Sequence, residues 1–382
     1  MESLLAFFII LAAGLVLSEL FRRLHLPYVT ALILGGVLIG PYAMNLVQIN
    51  ETIAFLGAIG IVFLMFIAGT EVKLSFLKHA RRKDFVLPVI NGGLPFSVGF
   101  LIAHYFGYDF VTSLIVGVVF ISSSIAVIIP SLEASGLMGT RFGKTLTSSV
   151  IFEDIGGLIL LAMLIQSFTH MTRFPLPFYL MAVVAMIVFL YIAISRLQTF
   201  YLGKKKGKDL FESELRFVFV MLVGTVILFE ALGMHSIVAG FIIGILLSDS
   251  IRGKIEEKIR IVSYGIFIPV FFLIIGMEMD LSVLFSMANV MLVVAIVSGS
   301  VLSKIVSGWI GGRIIDFSNL DSLLIGVATT PSLSTTLAAA FLAMEFGLLT
   351  HELISSLIIL TIITTFLSPT LVKLISVRRQ VK

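Results

Sequence analysis

Residues 146–166 read LTSSVIFEDIGGLILLAMLIQ, a stretch long and apolar enough to cross a lipid bilayer as one helix. Two adjacent carboxylates, Glu153 and Asp154, lie near its middle. A charged side chain at the centre of a bilayer costs about 2.5–3.5 kcal/mol on insertion scales, so it persists only in a bundle interior, beside water or with a partner. We therefore interpret this acid pair as a candidate functional site inside a membrane.

The composition of the chain places it among integral membrane proteins. Of its 382 residues, 59% are hydrophobic and 13% are charged, and the mean hydropathy is +1.14. Apolar runs of roughly 20 residues recur along the whole length, which favours a helical bundle over a β-barrel. We predict an all-α polytopic membrane protein with about 13 transmembrane helices. The predicted segments are 3–21, 28–45, 52–70, 85–105, 111–132, 143–168, 176–196, 215–232, 235–249, 260–277, 286–312, 321–345 and 350–376.

The basic residues predict how the chain is oriented, because cytoplasmic loops collect Lys and Arg. With the amino terminus outside, nearly all of the 26 basic residues fall in inside loops or at inside helix ends. Arg173 falls outside, and Lys304 falls within a span. The pattern predicts a protein of the cell membrane with a cytoplasmic carboxyl terminus. The net charge of +4 then reflects this topology and not nucleic-acid binding.

An internal repeat divides the chain into two halves. Residues 67–77, IAGTEVKLSFL, match residues 274–284, IIGMEMDLSVL, at six of eleven positions. Upstream, GVLIG at 36–40 recurs in spacing as GFIIG at 240–244. The main match joins the third and tenth predicted spans, which cross in opposite directions, so the repeat is inverted. Inverted repeats are typical of secondary transporters, in which two related halves frame one site.

Three other segments carry polar residues at the depth of the acid pair, about ten residues from a membrane face. They are Ser122, Ser123 and Ser124 in the fifth span, Lys304 in the eleventh, and Thr329, Thr330 and Ser332 in the twelfth. Ser and Thr compete for backbone hydrogen bonds, and Pro130 and Pro331 each remove one, so we predict that the fifth and twelfth helices are broken. Free carbonyls and hydroxyls at these breaks would supply oxygen ligands for an ion.

The charged residues of this layer receive separate roles. We assign Asp154 as the carrier, because one carboxylate can hold a proton or help to coordinate a dehydrated monovalent cation, but not both. Glu153 points roughly 100° away from Asp154 on a helix, so we expect the two acids to have different functions. Lys304 is its natural partner, since an ion pair offsets two burial costs. Two roles for the pair stay open, a structural bridge and a pair that opens as the lysine releases or takes up a proton.

The chain resembles the monovalent cation/proton antiporters over essentially its full length, particularly the branch with bacterial sodium/proton antiporters and glutathione-gated potassium efflux systems. The resemblance rests on five short stretches. They are the segment from Leu26-Pro27 to Gly40-Pro41, Gly69-Thr70-Glu71, Ser122-Ser123-Ser124-Ile125-Ala126, Phe152-Glu153-Asp154-Ile155, and Lys304 followed by Gly308, Gly311 and Gly312.

This resemblance implies a dimerisation bundle and a mobile core, with two broken helices that cross beside the ion. The implied boundaries are 1–84 and 215–285 for the dimerisation bundle, 85–170 and 286–382 for the core, and 171–214 for a linker helix and cytoplasmic loop. It also implies a homodimer in the lipid bilayer, elevator-like displacement of the core, exchange of Na⁺ or K⁺ for H⁺, and no cofactor. Asp154 matches the essential aspartate of the family, and Lys304 matches the core lysine of electrogenic members.

Glu153 departs from the family at the position before that aspartate, where electrogenic members tend to have Asp, electroneutral members Asn and potassium efflux systems Gln. The acid together with Lys304 favours the electrogenic type, and the choice between Na⁺ and K⁺ stays open. Potassium efflux members continue into a cytoplasmic nucleotide-binding domain, whereas this sequence stops at Lys382. We expect such a regulatory domain either not to exist or to lie outside the sequence.

Three other classes of protein fit less well. An ion channel would need a continuous polar pore, whereas this chain concentrates its charge in one layer. A sodium-coupled symporter of an organic solute could share the inverted repeat and the broken helices, and it is the principal alternative. An enzyme is not expected, since His351-Glu352 lacks the second histidine of a zinc protease motif, no serine elbow is present and the chain has no cysteine.

Overall fold

The computed structural model describes residues 2–23, 28–72, 85–169, 176–201, 212–248, 251 and 254–380. Over these ranges the chain is α-helical with short connections and contains no β-strand, so the predicted all-α class is confirmed. Several predicted features lie outside the described residues. They are Leu26-Pro27, the part of the repeat from Lys73 to Leu77, the basic runs Lys78–Lys83 and Lys204–Lys208, and Arg173.

The helices are numbered in chain order. They are α1 (Glu2–Arg23), α2 (Tyr28–Ile39), α3 (Glu51–Glu71), α4 (Val86–Tyr105), α5 (Phe110–Ile121), α6 (Ile125–Ala134), α7 (Arg141–Thr169), α8 (Leu176–Tyr201), α9 (Ser213–Ala231), α10 (Ser236–Leu247), α11 (Lys254–Val262), α12 (Ile268–Met277), α13 (Met287–Ile314), α14 (Asn319–Ala328), α15 (Ser334–Glu345) and α16 (His351–Gln380). A π-helical turn, Ser263–Phe267, joins α11 to α12, and a 3₁₀ helix covers Leu281–Phe285.

Eight helical segments among the described residues are long and apolar enough to cross a membrane. They are Ser3–Phe21, Glu51–Glu71, Val86–Tyr105, Phe110–Ala134, Arg141–Phe168, Ile255–Met277, Met287–Ile314 and His351–Ser376. Shorter apolar helices cover Tyr28–Ile39, Met181–Ile194, Ser236–Leu247 and Asn319–Ala328. The chain is thus a polytopic helical membrane protein, and the number of thirteen crossings stays a prediction.

Two of the membrane segments are interrupted, as the sequence predicts. Residues 122–124 separate α5 from α6, and residues 329–333 separate α14 from α15. The interruptions touch, because the Ser124 N–H donates a hydrogen bond to the carbonyl of Pro331 at 2.7 Å. Broken helices that cross are therefore confirmed. Pro331 lies in the second interruption, whereas Pro130 lies inside α6 and not at the first.

Glycines of the internal repeat let helix backbones touch. A Cβ atom on Gly36 in α2 would overlap a carbonyl group of α12 and lie 2.9 Å from the Cα atom of Gly276. A Cβ atom on Gly69 in α3 would overlap a carbonyl group of α10 and lie 3.0 Å from the Cα atom of Gly244. Only glycine permits so close an approach. The internal repeat relates α2 to α10 and α3 to α12. The contact of α2 with α12 in one place therefore corresponds to the contact of α10 with α3 in the other.

Close contacts group the chain into two units. One unit comprises Met1–Phe55, Ala80–Leu164 and Phe272–Lys382, and the other comprises Leu56–His79 and Ile165–Phe271. The first unit contains both broken helices and all the charged residues of the predicted site. The second contains the glycine contact between α3 and α10. The implied division into a dimerisation bundle and a core follows other boundaries and stays a prediction.

Candidate ion-binding site

Helix α7 places Asp154 beside both broken helices. The Asp154 side chain is buried, with 2% of the residue exposed. Its Oδ1 accepts hydrogen bonds from Ser122 Oγ at 2.8 Å and from Thr335 Oγ1 at 3.2 Å. No hydrogen bond from the described residues reaches Oδ2. Neutral donors therefore hold one oxygen of this carboxylate, and the other oxygen is available to a ligand.

Glu153 is buried as deeply as Asp154 but is fully paired. Its Oε1 accepts hydrogen bonds from Asn91 Nδ2 and Ser149 Oγ, each at 2.9 Å. Its Oε2 accepts from Ser123 Oγ and Lys304 Nζ, also at 2.9 Å each. A carboxylate has about four lone-pair sites, and all four face a donor, although the single proton of Ser123 is shared with the Thr329 carbonyl, 2.9 Å from Ser123 Oγ. Glu153 keeps no free oxygen that could coordinate an ion.

The ammonium group of Lys304 lies in contact with Glu153, as the sequence predicts, with the two side chains completely buried. Lys304 Nζ also lies within hydrogen-bond distance of the carbonyl of Ile121 at 2.6 Å, of Ser123 Oγ at 2.8 Å and of the carbonyl of Asn91 at 3.1 Å, so its three N–H groups share four acceptors. A buried ion pair offsets its desolvation cost only when further hydrogen bonds satisfy the remaining protons and lone pairs. This pair meets that condition, and both of its predicted roles, structural and titrating, stay open.

Asn91 is a central member of the site that the sequence did not predict. It lies in α4, is completely buried and contacts both charges of the ion pair. Its Oδ1 also accepts from Ser307 Oγ at 2.9 Å. The signal was available, because a lone amide six residues into an apolar helix is unusual, but nothing in the sequence said which residues it would meet. Ser149 and Ser307 were missed for the same reason.

The predicted ligands of the second interruption mainly contact their own segment, although Thr329 Oγ1 also lies 3.4 Å from Asn91 Oδ1. Thr329 Oγ1 donates to the carbonyls of Ile325 and Gly326 at 3.1 Å. Thr330 Oγ1 donates to the carbonyl of Val327 at 2.8 Å. Ser332 Oγ lies 3.5 Å from the carbonyl of Thr330. The residue of this broken helix that reaches Asp154 is Thr335, in the first turn of α15.

Two further hydroxyls in the broken helices are buried without a hydrogen bond to the described residues. They are Ser124 Oγ, at the end of the first interruption, and Thr336 Oγ1, at the start of α15. Each is close in sequence to a donor of Asp154, which are Ser122 and Thr335. An unsatisfied buried hydroxyl costs about 1–3 kcal/mol, so a partner such as water or an ion is expected for each.

The formal charges of the cluster leave Asp154 as its unbalanced member. Glu153 and Lys304 cancel, whereas the donors of Asp154 among the described residues are neutral hydroxyls. In a low-dielectric interior an uncompensated carboxylate is stable only with a bound proton or a bound cation. The site therefore combines a closed ion pair with an open acid that needs a positive ligand.

Comparisons with known proteins cover nearly the whole chain. Residues 6–377 match the family model described as sodium/hydrogen exchanger, transmembrane. A probable Na⁺/H⁺ antiporter 3 of Methanocaldococcus jannaschii is 31% identical over 378 residues, which are 98% of this chain and 96% of that protein. A Na⁺/H⁺ antiporter of Enterococcus hirae is 24% identical over 368 residues, 96% of each.

A solved structure has a similar fold. It is the sodium proton antiporter MjNhaP1 from Methanocaldococcus jannaschii at pH 8, with a TM-score of 0.76, 17% identity and coverage of 99% of each chain. At this identity the likeness shows the fold alone. The family model and the 31% identical relative both extend over almost all of the residues. On that evidence, the chain belongs to the sodium/hydrogen exchanger family.

Proposed function

We propose that the protein exchanges a monovalent cation, Na⁺ or K⁺, for H⁺ across the cell membrane, with Asp154 binding the cation and the proton in turn. As a member of its family the chain is a transporter and not an enzyme. The observation that carries the proposal is the free Oδ2 of Asp154 in a site whose other acid is closed. The family match favours this antiport over the symporter alternative.

We assign the coordination shell of the cation to Asp154 and to unpaired hydroxyls that are close in sequence to its donors. Ser124 Oγ and Thr336 Oγ1 lack partners among the described residues, and they join Asp154 Oδ2 as oxygen ligands in the proposal. Ser122 and Thr335 orient the carboxylate through Oδ1. Hard monovalent cations prefer such oxygen ligands. We assign Thr329, Thr330 and Ser332 to support of the second interruption, because their hydroxyls donate to its backbone.

The remaining parts of the proposal concern how the ion crosses. The core moves in an elevator-like manner and exposes Asp154 to each side in turn, and the protein works as a homodimer with its amino terminus outside. The supporting observations are the inverted repeat, which frames sites accessible from either face, and the basic residues of alternate loops. K⁺ as well as Na⁺ is retained because the oxygen ligands suit both.

The direct test is exchange in liposomes containing the purified protein. A pH gradient is imposed, and its dissipation by Na⁺, Li⁺ or K⁺ is followed with and without an imposed membrane potential. We expect Asp154→Asn to abolish exchange, because the amide can neither hold a transferable proton nor neutralise a cation. Asp316→Asn is the matched control, since Asp316 is exposed at a left-handed turn, where asparagine is accommodated. Normal exchange in Asp154→Asn would exclude the proposed mechanism.

The same measurements identify the ion and the charge moved. A potential that drives exchange in the absence of a pH gradient indicates electrogenic transport, and no response indicates electroneutral transport. The cation with the lowest apparent KM is the physiological candidate. Uptake of Na⁺ that requires an organic solute and moves no protons would instead support the symporter.

A further inference from the structure

Lys304 is held by two backbone carbonyls that their own helices do not use. In a regular α-helix each carbonyl accepts a hydrogen bond from the N–H four residues later. Residue 95, four after Asn91, is a proline inside α4 and has no N–H to donate. Lys304 Nζ donates to this Asn91 carbonyl at 3.1 Å. The ammonium group thus occupies the position left by a missing helix bond.

The second carbonyl becomes free for a different reason. Ile121 is the last residue of α5, and Ser122 after it is extended, with φ −69° and ψ 144°. The helical partner of the Ile121 carbonyl would be the N–H of Ile125, which belongs to α6 beyond the interruption. Lys304 Nζ lies 2.6 Å from the Ile121 carbonyl oxygen. A proline in α4 and an interruption after α5 therefore supply one acceptor each to the same charge.

The Asn91 side chain holds the other member of the ion pair. Its Nδ2 donates to Glu153 Oε1 at 2.9 Å, on the oxygen opposite the one that contacts Lys304. Its Oδ1 accepts from Ser307, one turn after Lys304 on α13. One residue of α4 thus fixes the acid through its amide and the base through its carbonyl. Only the carbonyl depends on Pro95.

We propose that Pro95 is a positioning residue for ion exchange: it frees the Asn91 carbonyl, which with the Ile121 carbonyl holds the Lys304 ammonium on Glu153 and away from Asp154. The inference rests on the proposed function of Asp154. An interior proline destabilises a helix, and a buried carbonyl without a partner adds to that cost. The ammonium of Lys304 satisfies this carbonyl with a hydrogen bond, and the same bond helps to fix the position of the ammonium.

The test restores the missing donor. Pro95→Ala gives residue 95 an N–H that bonds the Asn91 carbonyl within α4, so Lys304 keeps three of its four acceptors and loses the one that ties it to α4. The ammonium then competes with the transported cation at Asp154. We expect the apparent KM for Na⁺ to rise about ten-fold, the range of one lost hydrogen bond to a charged group, while the maximal rate changes less than about two-fold. Pro95→Val carries the same N–H on a larger side chain and should behave alike.

A matched control separates the carbonyl from helix bending. Pro369 is the interior proline of α16, and the carbonyl that it frees, that of Thr365, makes no hydrogen bond with Lys304. Pro369→Ala should leave the KM for Na⁺ unchanged. A KM that stays unchanged in both Pro95 variants, or that rises equally in Pro369→Ala, would overturn the inference.

A second measurement needs no transport, so it distinguishes this inference from the proposed function. Thermal unfolding in detergent is compared for Pro95→Ala, Lys304→Ala and the double variant. If Pro95 acts through Lys304, Pro95→Ala should raise the Tm more in the Lys304→Ala background than in the unmodified protein, because the restored N–H there satisfies a carbonyl that has lost its ammonium partner. Additive shifts would exclude the coupling whatever the outcome for Asp154→Asn. Normal exchange in Asp154→Asn with non-additive shifts would instead reject the carrier and keep the carbonyl arrangement.

Discussion

The two interruptions look alike in sequence and do different work in the structure. At residues 122–124 the hydroxyls of Ser122 and Ser123 point to the charges, one to Asp154 and the other to Glu153 and Lys304. At residues 329–333 the hydroxyls of Thr329 and Thr330 contact the backbone of α14, and Ser332 Oγ lies 3.5 Å from the carbonyl of Thr330. Thr329 Oγ1 also lies 3.4 Å from Asn91 Oδ1. The carbonyls of this second interruption face the first. That of Pro331 accepts a hydrogen bond from the Ser124 N–H, and that of Thr329 lies 2.9 Å from Ser123 Oγ and shares its single proton with Glu153 Oε2.

The first interruption therefore contacts the charged residues of the site, and the second supports the first. The first interruption offers side chains to the acid pair, and the second fixes the position of the first through main-chain oxygens. A main-chain oxygen cannot be removed by substitution, whereas a hydroxyl can. The comparison therefore predicts large effects of substitutions in the first interruption and small effects in the second.

The largest effect is expected for Ser122, because its hydrogen bond to Asp154, at 2.8 Å, is shorter than that of Thr335, at 3.2 Å. Ser122→Ala should raise the KM for the transported cation about ten-fold, because a hydrogen bond to a charged group contributes about 1.5–3 kcal/mol. Thr335→Val removes the 3.2 Å bond to the same oxygen and should raise it less, about three-fold. The measurement is the cation dependence of exchange in liposomes.

Ser131→Ala serves as the control for this pair, since Ser131 Oγ donates only to the carbonyl of Val127 in its own helix. Its KM should equal that of the unmodified protein. A larger effect of Thr335→Val than of Ser122→Ala would reverse the ranking of the two broken helices.

The next effect concerns stability and compares Ser123 with Thr330. Ser123 Oγ contacts Lys304, Glu153 and the carbonyl of Thr329, so Ser123→Ala leaves buried charges with fewer partners and should lower the free energy of unfolding by about 2 kcal/mol. Thr330→Val loses one bond to the carbonyl of Val327 and should cost about 0.5 kcal/mol. Thermal unfolding in detergent measures both.

Equal destabilisation by these two variants would show that the second interruption contributes as much through side chains as the first. Removal of Lys304 provides the control for the charge, since Ser123→Ala should matter less in a Lys304→Ala background. Thr330→Val should not respond to that background.

The smallest effect concerns the first turns of α5 and α14, which we expect to respond differently to pH. Asp109 caps α5 and Ser318 caps α14, each by accepting hydrogen bonds from N–H groups of the first turn. The hydrogen bond from Thr112, with those from backbone N–H groups, holds the pKa of Asp109 below its ordinary value. A lowered pKa means that the cap stabilises the folded state above the unfolded pKa and is lost as pH falls through the folded value.

We therefore expect the first turn of α5, but not that of α14, to lose amide protection below about pH 4. Asp109 is exposed, so the loss is limited to about 1 kcal/mol or less. Hydrogen exchange corrected for the intrinsic rate at each pH measures it. Asp109→Asn keeps a cap that does not titrate, and an equal loss of protection in that variant would attribute the change to something other than Asp109.

The sequence was sufficient for the features that depend on local chemistry. Composition predicts the membrane class, and the serine and threonine clusters predict both interruptions. The cost of burying a charge predicts that Glu153 and Lys304 meet, although 151 residues separate them. Each of these follows from a rule that acts on one residue or on one short segment.

What the sequence could not supply was the direction of side chains in irregular segments. Thr329 and Ser123 both lie at helix interruptions, yet Ser123 Oγ reaches the ion pair whereas Thr329 Oγ1 reaches Asn91 and its own helix. No helical periodicity predicts side-chain directions in such segments. Asn91 was missed because an isolated amide gives no indication of its partners. The role of Pro95 needs the position of Lys304, which lies more than 200 residues further along the chain.

The glycine contacts of the repeat determine how little the joined helices can slide. Where side chains interdigitate, a change of rotamer can absorb a small displacement, but Gly36 and Gly276 bring main chain against main chain and have no rotamers to change. Two helices joined in this way are either in full contact or apart. The internal repeat produces this backbone contact twice, at Gly36 with Gly276 and at Gly69 with Gly244. A single methyl group at any of these positions would therefore force the two helices apart.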